Sequence, residues 1–570
     1  MVSHLWYPSL LHIGIIVLLF LAACSPAPSN PPMSSAEPAS AIRSVQVPPQ
    51  AAGQPQRGGV FVFAIPGNFA NCNAYDVNDR QTNMVLDHVY ETLVRYDYNQ
   101  KDYRANFDVV PWLAERWEQT DPVTWVFHLR STTWHDGQPF GADDVVATYQ
   151  LLKERNYTAY GNWRTFRSVE KVDDHTVKFM LNQPVAEWQL MANLGEPSNA
   201  HILPKHIIDA GRLDTACIGT GPFKIKSIEP NSKAVMVRNE NYWREDASGQ
   251  QQPYLDGIEI IFGMDRSAMQ GAFAAGELDL IPLTTWPEVE VLTKQVPGAQ
   301  VHIWPAHWSH GLVLNFGRLP FSDKRVRQAV NLLIDRQQII DTVFFGKGFI
   351  SLPISPSVRE GWGLSQEEAL KLPGFRPDKS ADIAQARSLL AEAGYGPGGR
   401  KLTFELLYAR NWAVAPMVDF LAGFLKSYDI EVQLRGVDSA TFARDRRDGK
   451  YDAALWHLAS PDPFLRPQQN WYTRSPDAQG AKIPDLGQDR LLDELRVTTD
   501  VTQQKAIILQ LQKLALDEVF GIALADPPSF AVTQPWVNGY RSSLSVQAEV
   551  TGSAHQLWFD QSKLPAKRKR

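Results

Sequence analysis

"KLTFELLYARNWAVAPMVDFLAGFLKSYDIEVQLRGVDSATFARDRRDGKYDAALW", Lys401 to Trp456, switches between strand and helix spacing all along its length. "KLTFELLYA" reads as a strand, "PMVDFLAGFLKSYD" as a helix, "IEVQLRGV" as a strand, "SATFARDRRDGK" as a helix and "YDAALW" as a strand. Strands joined by helical crossovers lie parallel, so the stretch predicts a largely parallel α/β sheet. The adjoining segment "HLASPDPFLRP", His457 to Pro467, holds three prolines and two further polar turn residues at the carboxyl end of a sheet strand. That edge is where open α/β sheets bind ligands.

Outward from this core the same reasoning places "HGLVLNF" as a strand and "DKRVRQAVNLLIDRQQIIDTVF" as one helix. "ADIAQARSLLAEAGY" reads as a helix stopped at Ala393-Gly394. Downstream, "TQQKAIILQLQKLALDEV" is a long helix, and "FGIALADPPSFAVT" reads as a return strand. In the N-terminal half, "GGVFVFAI" is a strand closed by Pro66-Gly67. "TNMVLDHVYETLVRYD" has helix-spaced apolar residues at Val85, Val89, Leu93 and Tyr96. "TWVFHLRSTTWHDG" reads as strand and turn, and "GADDVVATYQLLKER" as a helix with acids where the macrodipole favours them. "HTVKFML", "KAVMVRNENYW" and "GIEIIFG" read as strands.

The chain has 570 residues, too many for one core, so two or three domains are expected. A net charge of −6 over that length argues against nucleic acid as a partner. The one basic block, Lys567-Arg568-Lys569-Arg570, reads as a solvated end. "LLHIGIIVLLFLAAC", Leu10 to Cys24, has the length of a signal-peptide apolar region rather than a membrane span. Its end, Leu21-Ala22-Ala23-Cys24, looks like a lipobox, which would acylate Cys24 after removal of residues 1–23. The basic start usual for such signals is missing, since the first Lys or Arg is Arg43. Residues 24–57 are rich in proline, serine and alanine and lack aromatics, as an extended tether does. The two remaining cysteines, Cys72 and Cys217, could form one disulfide in an oxidising exported compartment or stay as buried thiols.

Chemistry-bearing motifs are missing: no G-x-S-x-G, no Walker loop, no H-E-x-x-H and no C-x-x-C occurs. "HIWPAHWSH" brings His302, His307 and His310 together in sequence, a spacing that could share a metal ion. A proline break within it favours ordinary surface or hinge histidines, and no metal or other cofactor is expected. Seventeen tryptophans, with Trp412 and Trp456 both just past sheet strands, suit an amphipathic ligand; core packing is the plainer explanation for most.

"DHVYETLVRYD", "PWLAERWEQTDPVTWVFHLRSTTWHDGQPFGADDVVATYQLL", "GTGPFKIKSIEPNSKAVMVRNENYW" and "FSDKRVRQAVNLLIDRQQII" resemble, in order, the family 5 solute-binding proteins of ABC importers, the oligopeptide, dipeptide and nickel class. Leu129-Arg130, Trp134-His135-Asp136-Gly137 and Ala142-Asp143-Asp144-Val145 carry most of that resemblance. It implies a two-lobe periplasmic-binding-protein-like fold of the class II, or cluster C, type, with an extra subdomain in the first lobe. Lobe I would span 58–307 plus 527–564, with an insertion near 100–215; lobe II would span 308–526, and 565–570 would be a basic tail. The resemblance implies a monomeric, non-enzymatic receptor that closes on peptides or peptide-like solutes outside the cytoplasm. Its partners would be a membrane permease, the ATPase subunits and, through Cys24, the membrane. Oligosaccharides or a nickel complex are the alternative solutes, and an exported hydrolase is the alternative class.

The ligand loops the resemblance implies map to three places: Asn71 and Asn73; Arg410, Asn411 and Trp412; and Trp456 with Asp462. In peptide-binding relatives the third loop keeps an aspartate for the peptide's α-ammonium. Here that position is Ala459, and its aromatic neighbour is Ser460. Either Asp462 or another acid supplies the charge, or the solute has no free amine to hold; Asp before Pro is also a plain turn former.

Overall fold

The computed structural model describes residues 53–76, 80–97, 109–157, 164–195, 200–306, 309–356, 361–410, 415–460, 462–541 and 553–568. Cys24, most of the tether, His307, Asn411 and Trp412 lie outside them.

Among the described residues three sheets organise the chain. A five-stranded sheet has the order Ile430–Val437, Leu402–Ala409, Ala453–Ala459, Ser309–Leu314, Gly521–Ala523. The first three are mutually parallel, as the helical crossovers Ala415–Lys426 and Ser439–Arg447 require. Ser309–Leu314 runs against both neighbours, so the sheet is mixed. That strand arrives directly from another sheet, without a helical crossover to fix its direction.

A seven-stranded sheet has the order Gln300–Pro305, Pro528–Thr533, Leu280–Leu283, Val60–Ala64, Gly257–Ile261, Lys233–Arg238, Phe223–Glu229. A four-stranded antiparallel sheet comprises Ala114–Asp121, Thr124–Leu129, Thr176–Leu181 and Phe166–Asp173. Thr124–Leu129 buries every second residue, including Trp125 and Phe127, under the Ala142–Arg155 helix layer. Asp144 caps that helix by accepting from the Gly141 amide at 3.0 Å, and holds Trp134 Nε1 at 3.2 Å.

Three sequence expectations change. The periodic stretch after Thr82 is helical only over Arg80–Leu86; Val94–Tyr96 is a strand paired with Val109–Pro111. The carbonyls of His88 and Val89 accept from the amides of Phe223 and Gly221, which a continuous helix would prevent. Gly219 makes this approach possible, since a Cβ there would lie 1.8 Å from the Val89 carbonyl oxygen. The helix read across 323–344 is two helices, Lys324–Leu333 and Arg336–Val343. Asp335 starts the second by accepting from Gln338 N at 2.9 Å. Buried Arg336 donates to the Ala523 carbonyl at 2.8 Å, fixing the break against the neighbouring strand.

The return strand is also divided. Gly521–Ala523 belongs to the five-stranded sheet and Pro528–Thr533 to the seven-stranded one. The chain thus crosses between the two sheets twice, once after Pro305 and once before Pro528. The two crossings are tied together, with Ala306 N donating to Pro527 O at 2.9 Å.

Candidate functional site

Strand direction fixes where the predicted loops lie. In the five-stranded sheet, the strands ending at Ala409, Val437, Ala459 and Ala523 all point to one edge, and Ser309 starts there, opposite Ala459. Ala523 and Ser309 both adjoin the crossings, so the crossings leave from this edge. In the seven-stranded sheet, Val60–Ala64, Gly257–Ile261, Leu280–Leu283 and Gln300–Pro305 point one way, and Pro305 leads into a crossing. Both sheets therefore present the carboxyl ends of these strands at the double crossing, the kind of edge where open α/β sheets carry ligand sites.

The loop after Val60–Ala64 is built around a disulfide. Cys72 and Cys217 are bonded, with Cα atoms 4.9 Å apart, and the Cys72 amide donates to Asp214 O at 3.1 Å. Asn71 Oδ1 accepts from the Asn73 amide at 2.9 Å, and Asn71 Nδ2 donates to the Asp76 carboxylate at 3.2 Å. Asn73 is buried; its Nδ2 donates to Tyr157 Oη and Asp214, both at 3.2 Å, while its Oδ1 accepts from Tyr75 N. Asn73 therefore shapes the loop, and Asn71 is the more accessible of the two.

On the opposite edge, Arg410 is exposed, and its Nε donates to Gly436 O at 2.6 Å. Trp456 is half-buried between Phe442, 5.6 Å away ring to ring, and the Arg446 guanidinium, 4.2 Å from its centroid. Ala459, at the position where the resemblance expects an acid, is buried and paired with Ser309. Asp462 Oδ1 accepts from the amides of Phe464 at 2.7 Å and Leu465 at 3.3 Å, and its carbonyl accepts from the Ser460 hydroxyl at 2.8 Å. It starts the Leu465–Asn470 helix as an Asx turn.

Aromatic contacts that sequence reasoning missed join parts of the chain far apart in sequence. Trp188, from the helix beside the four-stranded sheet, lies 4.8 Å from Trp362 and 5.0 Å from Phe464, ring to ring. Its Nε1 donates to Gln504 Oε1 at 2.8 Å. Lys347 Nζ sits 4.2 Å over the Trp286 ring, from one sheet's body to the other. "AEWQL" carries no signal of this role beyond a tryptophan in a polar helix.

Of the three histidines His307 lies outside the described residues, and the other two sit in strands of different sheets. His302 is buried in a seven-stranded-sheet strand, its ring 3.1 Å from Thr533 Oγ1; His310 is in the five-stranded sheet, 5.0 Å from His457 ring to ring. Burial pushes His302 down to about 3, helped by Arg541, and His310 down to about 4. Neither is a surface histidine, and the described residues hold no group of three side chains suited to a metal ion.

The chain matches the bacterial extracellular solute-binding proteins, family 5 (middle), over residues 108–480. It belongs to that family. The family 5 receptor is 26% identical to heme-binding protein A of Haemophilus influenzae, over 80% of this chain and 84% of that one. It is also 26% identical to the periplasmic oligopeptide-binding protein OppA of Salmonella typhimurium, over 75% and 81%. The crystal structure of the ABC transporter substrate-binding protein CtaP from Listeria monocytogenes aligns with a TM-score of 0.73 at 21% identity, covering 88% of this chain and all of that one. The fold is the two-lobe periplasmic-binding-protein fold with additional sheets. The family 5 receptor is thus an extracellular solute-binding protein rather than an enzyme.

Proposed function

We propose that the protein captures peptides or peptide-like solutes between its two lobes and delivers them to an ABC permease and its ATPase. The observation that carries this reading is the meeting of two ligand-binding sheet edges at one double crossing, in a chain of the solute-binding family. Its relatives include proteins named for oligopeptide and for di- and tripeptide binding. The lobes are 58–307 with 527–564, and 308–526, and the crossings tied by Ala306 and Pro527 are the hinge. Asn71, Arg410, Asn411, Trp412 and Trp456 line the solute, while Asn73 and Asp462 shape its loops. Cys24 is lipidated and residues 24–57 tether the monomeric body to the membrane. Hinge closure couples to binding only because solute touches both lobes and so favours the closed form.

With a buried alanine at position 459, the loop offers no acid there for an α-ammonium. The solute is therefore held without an ion pair at that position, and peptides with blocked amino termini are accepted. An oligosaccharide is the second reading, favoured by the same missing acid and by Trp456 on the edge. Native mass spectrometry of the purified protein tests this: a bound mass assignable by fragmentation to a peptide bears the reading out. A glycan in its place would replace it.

A further inference from the structure

A polar cavity lies within the seven-stranded-sheet body and receives no residue from the five-stranded sheet. Its volume is ≈ 520 Å³, within the range of small-molecule sites. Arg244 and Arg541 both line it, and neither guanidinium makes a hydrogen bond or ion pair with the described residues. The Arg244 guanidinium carbon sits over the Trp112 ring, 4.5 Å from its centroid, so ring packing helps to hold it in place. Burial lowers the affinity of both guanidinium groups for their protons, the signature of charges partly removed from water.

No acid among the described residues bonds directly to either guanidinium, although the charges of Glu91 and Asp97 favour the protonated form of Arg244 from a distance. Glu91 already accepts from Trp112 Nε1, Tyr242 Oη and Trp243 Nε1. Asp246 is spent within its own turn, on the amides of Ser248 and Gln250, the Ser248 hydroxyl and the Tyr254 hydroxyl. Glu245 is exposed at the wall. Among the described residues, Gln252, only 6% exposed, leaves its Oε1 without a partner, and Gln556 leaves Nε2 unpaired. Buried polar groups left unsatisfied are costly, so two partly buried guanidinium groups with no direct partner, beside an orphaned amide donor, favour an anion among them.

We propose that this cavity is a second binding site, for a small solute bearing a phosphate or carboxylate group, separate from the cleft between the lobes. The planar guanidinium forks match both anions, and Gln556 Nε2 supplies a neutral donor. Gly53 and Pro55, at the start of the described residues, form part of the wall. The anionic group can come from a free solute or from a lipid headgroup, since both carry the same phosphate chemistry.

Calorimetric titration of the full chain with inorganic phosphate and with citrate tests the site, alongside co-sedimentation with phosphatidylglycerol or phosphatidylcholine vesicles. Saturable binding of phosphate or citrate, weakened at least tenfold by Arg244→Gln and by Arg541→Gln, identifies a free anion as ligand. Binding confined to phosphatidylglycerol vesicles and lost in the same variants identifies a headgroup. Arg541→Lys should retain part of the binding, and unchanged melting temperatures would show that the variants fold. No saturable binding of any probe, or binding indifferent to both arginine substitutions, would overturn the proposal.

Discussion

Trp188 Nε1 donates to Gln504 Oε1 at 2.8 Å, across 316 residues of sequence, and so joins the body of the four-stranded sheet to the Val501–Glu518 helix of the other. With Trp362 and Phe464 it forms an aromatic latch between the helix Glu187–Gly195 and the five-stranded-sheet body.

Trp188→Ala removes two aromatic contacts, each contributing about 0.5–1.5 kcal/mol beyond its area, and one hydrogen bond. The closed form should lose ~1.5 kcal/mol relative to the open one, lowering solute affinity about tenfold. Small-angle scattering should show a larger radius of gyration for the unliganded variant. Unchanged affinity and scattering would remove the latch from the account.

The disulfide closes a loop of 145 residues between Cys72 and Cys217. Loop-entropy arguments give such a cross-link about 2–5 kcal/mol of stability. Reduction, or the double substitution to serine, should lower the melting temperature and weaken solute binding through the loop carrying Asn71. A melting curve indifferent to reductant would mean that the loop is held by its hydrogen bonds alone.

Acid should destabilise the protein through its buried histidines. His88 and His302 are pushed down to about 3, and His135 and His310 to about 4, mainly by burial. The unfolded chain takes up these protons near 6.5, before the folded chain does. Their stabilising contribution is thus complete above pH 6.5 and is lost as pH falls toward 4 and 3. Each histidine costs up to ~1.4 kcal/mol per pH unit in that window. Urea unfolding at pH 6.5 and 5.5 should show a smaller loss for His310→Phe than for the natural protein, since its buried Nδ1 has no partner among the described residues to lose. Equal losses in the two proteins would contradict this.

Asp462 is expected to act on the loop and not on the solute's charge. Asp462→Ala should cost ~1 kcal/mol of stability, and Asp462→Asn, which keeps the acceptor oxygen, only a few tenths. Peptides with free and with acetylated amino termini should bind both the natural protein and Asp462→Asn within about threefold of each other. A strong preference for free amines that Asp462→Asn abolishes would restore a carboxylate–ammonium pair.

Much of the five-stranded body was legible from the regular succession of strand and helix patterns between Leu402 and Ala459, although only Leu402–Ala409 comes near alternate burial. Strand direction was not: nothing in "HGLVLNF" records that it enters from another sheet. Val89 and Leu93 are buried as helix spacing requires, yet by a turn and a strand entry, since periodicity reports burial and not backbone path. The site was legible in its positions, at the ends of strands, but less in its roles. Asn73 and Asp462 proved to bond their own loops, which short polar side chains do readily. Trp188, Trp362 and Gln504 meet only through tertiary folding and left no local mark.

The most direct measurement is calorimetric titration of the purified protein with N-acetylated and free tri- to pentapeptides and with oligosaccharides, each repeated on Trp456→Ala. Saturable one-to-one binding of peptides, at least tenfold weaker in Trp456→Ala and with the peptide recovered uncut, is the predicted result. Saturable binding of an oligosaccharide with no response to any peptide, or recovery of cleaved peptide, would contradict the account.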